Sequence, residues 1–199
     1  MARTRWSVVV TVALAAVIAL ASCHKYNELV EDNAICDEKW ANIDAELQRR
    51  YDLIPNIVST IKAQAKFEED TLTQVTQARA SAVQIKMTGD DFSDPAKMAA
   101  FQNAQEQLKG SLSRLMMVQE KYPDLATNAS FHDLNVTLES TENRMLRARE
   151  EYNAAVRTYN AELGKVGGKV VNDVTGTPFK PRIYWAADAA AHDAPKVNF

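Results

Sequence analysis

The chain has 199 residues, with 23 Lys+Arg against 26 Asp+Glu and a formal net charge of −3. That balance argues against a polyanion-binding surface, and 6 Gly and 6 Pro beside 46% hydrophobic residues exclude a low-complexity or collagen-like chain. Three His and two Cys leave little material for a metal cluster or a disulfide framework, so no cofactor or metal is expected.

Residues 1–22 read as an export signal. Arg3 and Arg5 form a positive start, and Ser7 to Ser22 are uncharged and mostly Val, Ala, Leu and Ile. That apolar run is shorter than the roughly 20 residues of a spanning helix, although a permanent transmembrane helix is the alternative. Leu20-Ala21-Ser22-Cys23 resembles the lipobox of bacterial lipoproteins and marks Cys23 for acylation by palmitate-like chains, each buried CH₂ contributing about 0.8 kcal/mol to anchoring. His24 follows in place of an Asp, compatible with outer-membrane sorting in a Gram-negative host. The expected location is lipid-anchored to the cell envelope, with the body facing the periplasm. Cleavage removes two basic residues, so 21 minus 26 leaves −5 on the mature body, and membrane contact should come from the lipid rather than a basic face. Cys36 is then alone in the mature chain and reads as a small, half-buried side chain.

From Trp40 onward the apolar residues fall at helical spacing, with residues 23–39 as anchor and start of the first helix. Trp40, Leu47, Ile54, Ile61, Val75 and Ala82 share one seven-residue series, beside Tyr51, Val58, Ala65 and Leu72 on a second. Glu68, Arg79 and Lys86 interrupt the stripe, and Gly89 suits a left-handed helix end. Pro55 lacks an N–H, which predicts a kink or a division within a few residues of it. A second helix starts at Asp94-Pro95, carries Phe101, Leu108, Leu115 and Tyr122 on its seam and ends before Pro123. A third starts near Ser130, with Asp133 completing a variant capping box, and carries Phe131, Leu138, Met145, Tyr152 and Tyr159.

These spacings predict an all-α fold. It is an antiparallel up-and-down bundle of three long helices, or four if the first divides at Pro55, over residues 40–170. Gly164, Gly167 and Gly168 should loosen the chain. Residues 171–199 read as a docking tail, with Pro178 to Trp185 extended and aromatic and Ala186 to Phe199 a flexible end.

Several words of the mature chain carry a family resemblance: Tyr26-Asn27-Glu28-Leu29-Val30, Arg49-Arg50-Tyr51-Asp52-Leu53-Ile54-Pro55-Asn56-Ile57-Val58, Tyr122-Pro123-Asp124-Leu125, Glu142-Asn143-Arg144, Arg149-Glu150-Glu151-Tyr152-Asn153-Ala154-Ala155-Val156 and Tyr159-Asn160. Together they resemble the LemA family of bacterial envelope proteins. The resemblance implies a helical bundle outside the cytoplasm and a family without an established biochemical activity. Many members begin with a transmembrane helix, whereas this chain has a lipobox.

Arg49, Arg50 and Asp52 surround the seam beside Pro55 and Asn56, where a bend frees carbonyls for Arg or Asn side chains; they form a hydrogen-bonded hinge or a partner-binding notch. Asn143, Arg144, Arg149 and Asn153 flank the seam of Met145 and Tyr152 as network or interaction residues, and Tyr152 belongs to the core. Asp90, Asp91 and Asp94 read as a solvated acidic turn with helix caps rather than a Ca²⁺ site. No Glu-x-x-His pair is possible, because Ala21, Ala129 and Ala189 stand three residues before the histidines. The Gly164–Lys169 segment lacks the spacing of a phosphate loop, and Val170 follows its Lys.

The composite expectation is a non-enzymatic, membrane-anchored scaffold or adaptor with an envelope protein as partner, and with no nucleic acid or small-molecule substrate. One alternative is a self-associating structural protein that shapes the membrane. The other is an enzyme or sensor with a dispersed polar site, which a pocket lined by Arg50, Asp52, Arg149 and Tyr152 would favour.

Overall fold

The computed structural model describes residues 2–63, 69–118, 122, 127–176 and 179–186. Within them the chain is all-α: α1 (Ala2–Ala63), α2 (Glu69–Gln84), a 3₁₀ turn (Gly89–Ser93), α3 (Pro95–Val118), α4 (Ala129–Gly164) and α5 (Val166–Thr175), with no strand among the described residues. At 1.5 Å per residue α1 is about 93 Å long. No described helix is long and apolar enough to cross a membrane.

The core of α1 is a seam with alternating four- and three-residue steps: Cys36, Trp40, Ile43, Leu47, Arg50, Ile54, Ile57 and Ile61 are all buried. Such spacing keeps one face against a neighbouring helix. The neighbour is α4, whose buried face runs through Phe131, Leu138, Thr141, Met145, Ala148, Tyr152, Val156 and Tyr159. Cross-helix pairs set the register: Lys25 with Glu162, Lys39 with Glu151 at 3.5 Å, Glu46 with Arg144 at 3.0 Å and Arg50 with Glu142 at 2.6 Å. Numbers that rise along α1 therefore meet numbers that fall along α4.

Helices α2 and α3 form a second pair, joined through the 3₁₀ turn. Asp91 accepts from the Thr88 N–H at 3.1 Å while its own N–H reaches the Thr88 carbonyl at 3.0 Å. Gly89 supplies φ +50° there, inside the connection and five residues past the end of α2, not at the helix end expected for it. Asp94 caps α3, its Oδ1 accepting from the Ala96 N–H at 2.8 Å ahead of Pro95 in the first turn. Leu72 and Val75 on α2 and Met98, Phe101, Leu108, Leu112 and Leu115 on α3 are buried. Tyr122 is half-buried, and Glu68 and Ala65 lie outside the described residues.

Three expectations are corrected. The first helix does not divide at Pro55: α1 passes through it and ends at Ala63. Pro55 strands the Tyr51 carbonyl, four residues earlier, and the Arg79 guanidinium of α2 donates to it at 2.7 Å, so the ladder survives its missing donor. The cap of α4 is Asn128, not Ser130; its Oδ1 accepts from the Phe131 N–H at 3.0 Å. The glycines after α4 do not loosen the chain into a coil, because α5 follows at once. At Gly168 a Cβ would lie 2.5 Å from the Glu162 carbonyl, so only glycine lets α5 fold so tightly against the end of α4.

Candidate functional site

Arg50 occupies a seam position that the spacing reserves for an apolar side chain, and only 3% of it is exposed. Its guanidinium is held from two other helices: Nη1 donates to Gln105 Oε1 of α3 at 3.3 Å, and Nη2 to Glu142 of α4 at 2.6 Å and to Met145 Sδ at 3.1 Å. The neighbouring Tyr51 extends the network, its hydroxyl accepting from Gln105 Nε2 at 2.7 Å and donating to the Ala82 carbonyl of α2 at 3.4 Å. Burial raises the Tyr51 pKa. A charge at a seam position costs stability but restricts which partners and registers the helices accept. Four helices thus meet at Arg50-Tyr51, through one polar network. The Arg50 Nε is buried without a partner among the described residues.

The second constellation fixes the tail. Three asparagines each pair with one tail residue by two hydrogen bonds, side-chain amide to backbone: Asn172 with Phe179 (2.7 and 3.0 Å), Asn160 with Arg182 (2.9 and 2.8 Å) and Asn153 with Trp185 (both 2.9 Å). The clamped residues are three apart, the repeat of an extended left-handed chain. Tyr159 and Tyr152 donate to the carbonyls of Lys180 at 3.0 Å and Ile183 at 3.3 Å. Arg182 lies 5.0 Å over the Phe92 ring and donates to Asn33 (2.9 Å) and Asp37 (2.6 Å) of α1. Trp185 ends the strap inside an aromatic cluster centred on Trp40, whose ring lies 4.8 Å from Phe92, 5.3 Å from Phe101 and 5.1 Å from Tyr152. Burial pushes the Tyr159 hydroxyl up to about 12 and the Tyr152 hydroxyl further. Cys36 is fully buried rather than half-buried, and burial pushes its thiol up to about 11, an unreactive state at neutral pH.

Beside both constellations a groove of 730 Å³ lies between α3 and α4. Gln105, Leu112 and Met116 line it from α3, Leu138, Met145, Leu146 and Arg149 from α4, and Arg50 and Trp185 also line it.

The residues singled out in the sequence divide among these places. Arg50 and Arg149 meet at the groove, and Asn143 lies on its rim. Arg144 pairs with Glu46 and with the hydroxyls of Ser140 (2.6 Å) and Thr141 (3.0 Å). Tyr152 and Asn153 serve the tail. Arg49, Asp52, Pro55 and Asn56 are exposed on the opposite side of the seam; Asp52 accepts from Gln48 at 2.8 Å, and the Asn56 carbonyl takes the hydroxyls of Ser59 and Thr60. Arg50, Asp52, Arg149 and Tyr152 therefore do not line one pocket. The hinge carbonyl is served by Arg79, not by Arg49 or Arg50. Cys23 is exposed on α1. The acidic turn resolves into Asp91 and Asp94 as caps and Asp90 paired with Lys180 at 3.0 Å. Asn33, Asp37 and Asn172 stand outside the sequence motifs, and Asn160 enters only through the family word Tyr159-Asn160; the seven-residue step from Asn153 to Asn160, each directly after a core Tyr, is the signal that joins those two.

No curated protein matches this chain. The LemA family model matches residues 39–199, a span that takes in the Arg50 network, the groove and all three asparagine clamps, and the chain belongs to the LemA family.

Proposed function

We propose that this protein is a membrane-anchored helical scaffold or adaptor of the bacterial cell envelope that acts without catalysis, its mature body an up-and-down helical bundle held by lipid on Cys23. The carrying observation is the course of α1. Trp6, Val9, Val10 and Val12 are 57–77% exposed, and among the described side chains of the helix the first buried one is Leu29. An apolar helical arm with so much surface in water implies another medium for it, a membrane during export or afterwards. Cys23 stands between that arm and the packed body, where an acyl anchor would leave the bundle facing the periplasm. Family membership supports an envelope location, and the face between α3 and α4 gives an adaptor a surface to present. The outer membrane is the favoured address in a Gram-negative host.

The test is Cys23→Ala in cells fed a labelled fatty acid. The expected outcome is loss of the label and release of the body from the membrane fraction; unchanged retention would overturn the lipid anchor, and label retained without Cys23 would place acylation elsewhere.

A further inference from the structure

We propose that the outward face of α5 lies against the lipid leaflet at the anchored end of the body, a second membrane contact beside the acyl chains. This rests on the Cys23 anchor and says how the body stands on it. Val166, Val170 and Val174 step by four along α5, which puts them on one side of the helix within about 80° of arc. They are 79%, 39% and 72% exposed, whereas Gly168 and Val171 on the packed side are buried. Single exposed valines are ordinary on a protein surface, but three in line on a ten-residue helix make a continuous apolar stripe. Packing holds this helix in place, since its four valines and two glycines are weak helix formers.

Position selects the occupant. Helix α5 packs on α1 and on the end of α4, and the Lys25 side chain lies beside Gly167, 3.3 Å from where a Cβ would stand. Lys25 is two residues past Cys23, about 3 Å of helix rise. Acyl chains on Cys23 therefore keep a leaflet at the level of α5, where the valine stripe meets it without any search for a partner. Charge does not drive the contact: Lys25 and Lys165 both donate to Glu162, and the exposed Lys169 and Asp173 of α5 carry opposite signs. The contact is apolar and asks for no anionic lipid.

The test uses the full-length protein made in its own cells, with Val170→Cys carrying nitrobenzoxadiazole maleimide and Ser113→Cys, an exposed position on α3, as the reference. Cys36 is buried and acylation leaves Cys23 no thiol, so the wild-type chain should take no dye. In phosphatidylcholine vesicles with doxyl-labelled chains, the dye at Val170 is expected to be quenched about twofold or more and the dye at Ser113 not at all. Adding Val166→Ser and Val174→Ser, both exposed positions, should remove most of that quenching with helicity unchanged. Quenching that survives the serines would come from the tether alone and overturn the proposal. No quenching at Val170 would overturn it as well, and so would a blue-shifted dye without quenching, which would put a second copy on the face. Quenching confined to phosphatidylglycerol vesicles would give the contact to the lysines and overturn it too. A wild-type chain that takes up dye has a free Cys23 thiol, which overturns the anchor and this face together, whereas every other failure leaves the anchor standing.

Discussion

Pro55 removes one donor from the α1 ladder, and the carbonyl it strands is taken by a side chain 28 positions away. An unmet buried carbonyl costs about 1–3 kcal/mol, which is the size of effect expected from Arg79→Ala in the native background. Pro55→Ala restores the N–H that Tyr51 lacks, so in that background Arg79→Ala should cost less. A double-mutant cycle by urea unfolding is expected to give a coupling of about 1 kcal/mol, and additive costs would show that Arg79 acts by some other contact. The residue types were legible here, Pro as a problem and Arg as its remedy. Sequence shows neighbours along the chain and not across helices, so it offers Arg49 and Arg50 as the remedy and not Arg79. A charge at a core position contradicts the pattern that defines the core, so the sequence places Arg50 beside the seam rather than in it. Its compensation, Gln105 and Glu142, becomes visible only when α3 and α4 are brought alongside.

Among the elements, the tail has no regular secondary structure of its own, yet its backbone groups are met by side chains. Asn153→Ala removes two hydrogen bonds and strands the N–H and carbonyl of Trp185, with an expected loss of about 1–3 kcal/mol. Asn153→Asp keeps the shape and the acceptor but loses the donor, so it should fall between the two. Chemical denaturation of the three proteins ranks them, and equal stability would mean that Trp185 is held by its ring contacts alone. Long elements were plain from their spacing: the faces of α3 and α4 and the Asp94-Pro95 start emerged as expected. Periodicity could not mark the end of α1, because the buried face continues in step from Ile61 to Leu72 and Val75 on the next helix. It also could not find α5, which is ten residues long with two glycines and owes its position to the close approach at Gly168.

For the whole molecule, the ionisable groups whose pKa the fold shifts bound the pH range of stability. Tyr159 has its pKa raised from 10 to about 12 and Cys36 from 9 to about 11, so the folded chain keeps protons that the unfolded chain releases. Their contribution is complete below about pH 9 and is lost as pH rises toward 12. Glu162 runs the opposite way: hydrogen bonds from Lys165 and Lys25 lower its carboxyl from 4.5 to about 2, so its contribution holds above pH 4.5 and is lost as pH falls toward 2. Urea midpoints are expected to form a plateau between about pH 5 and 9, and Tyr159→Phe should flatten the descent between 10 and 12. An unchanged slope in that variant would assign the alkaline limb to other groups. The same wide view shows where sequence reading stops: a groove is space between two helices, and each helix face can be read singly while their separation cannot. The asparagine strap carries a last consequence. Its clamps grip main-chain atoms, at every third residue, and leave Pro181 and Tyr184 outward. Proline is tolerated at 181 because no clamp asks that position for an N–H. Those outward positions are therefore a blank label: their chemistry is open to rewriting by drift or by design while the grip beneath stays the same.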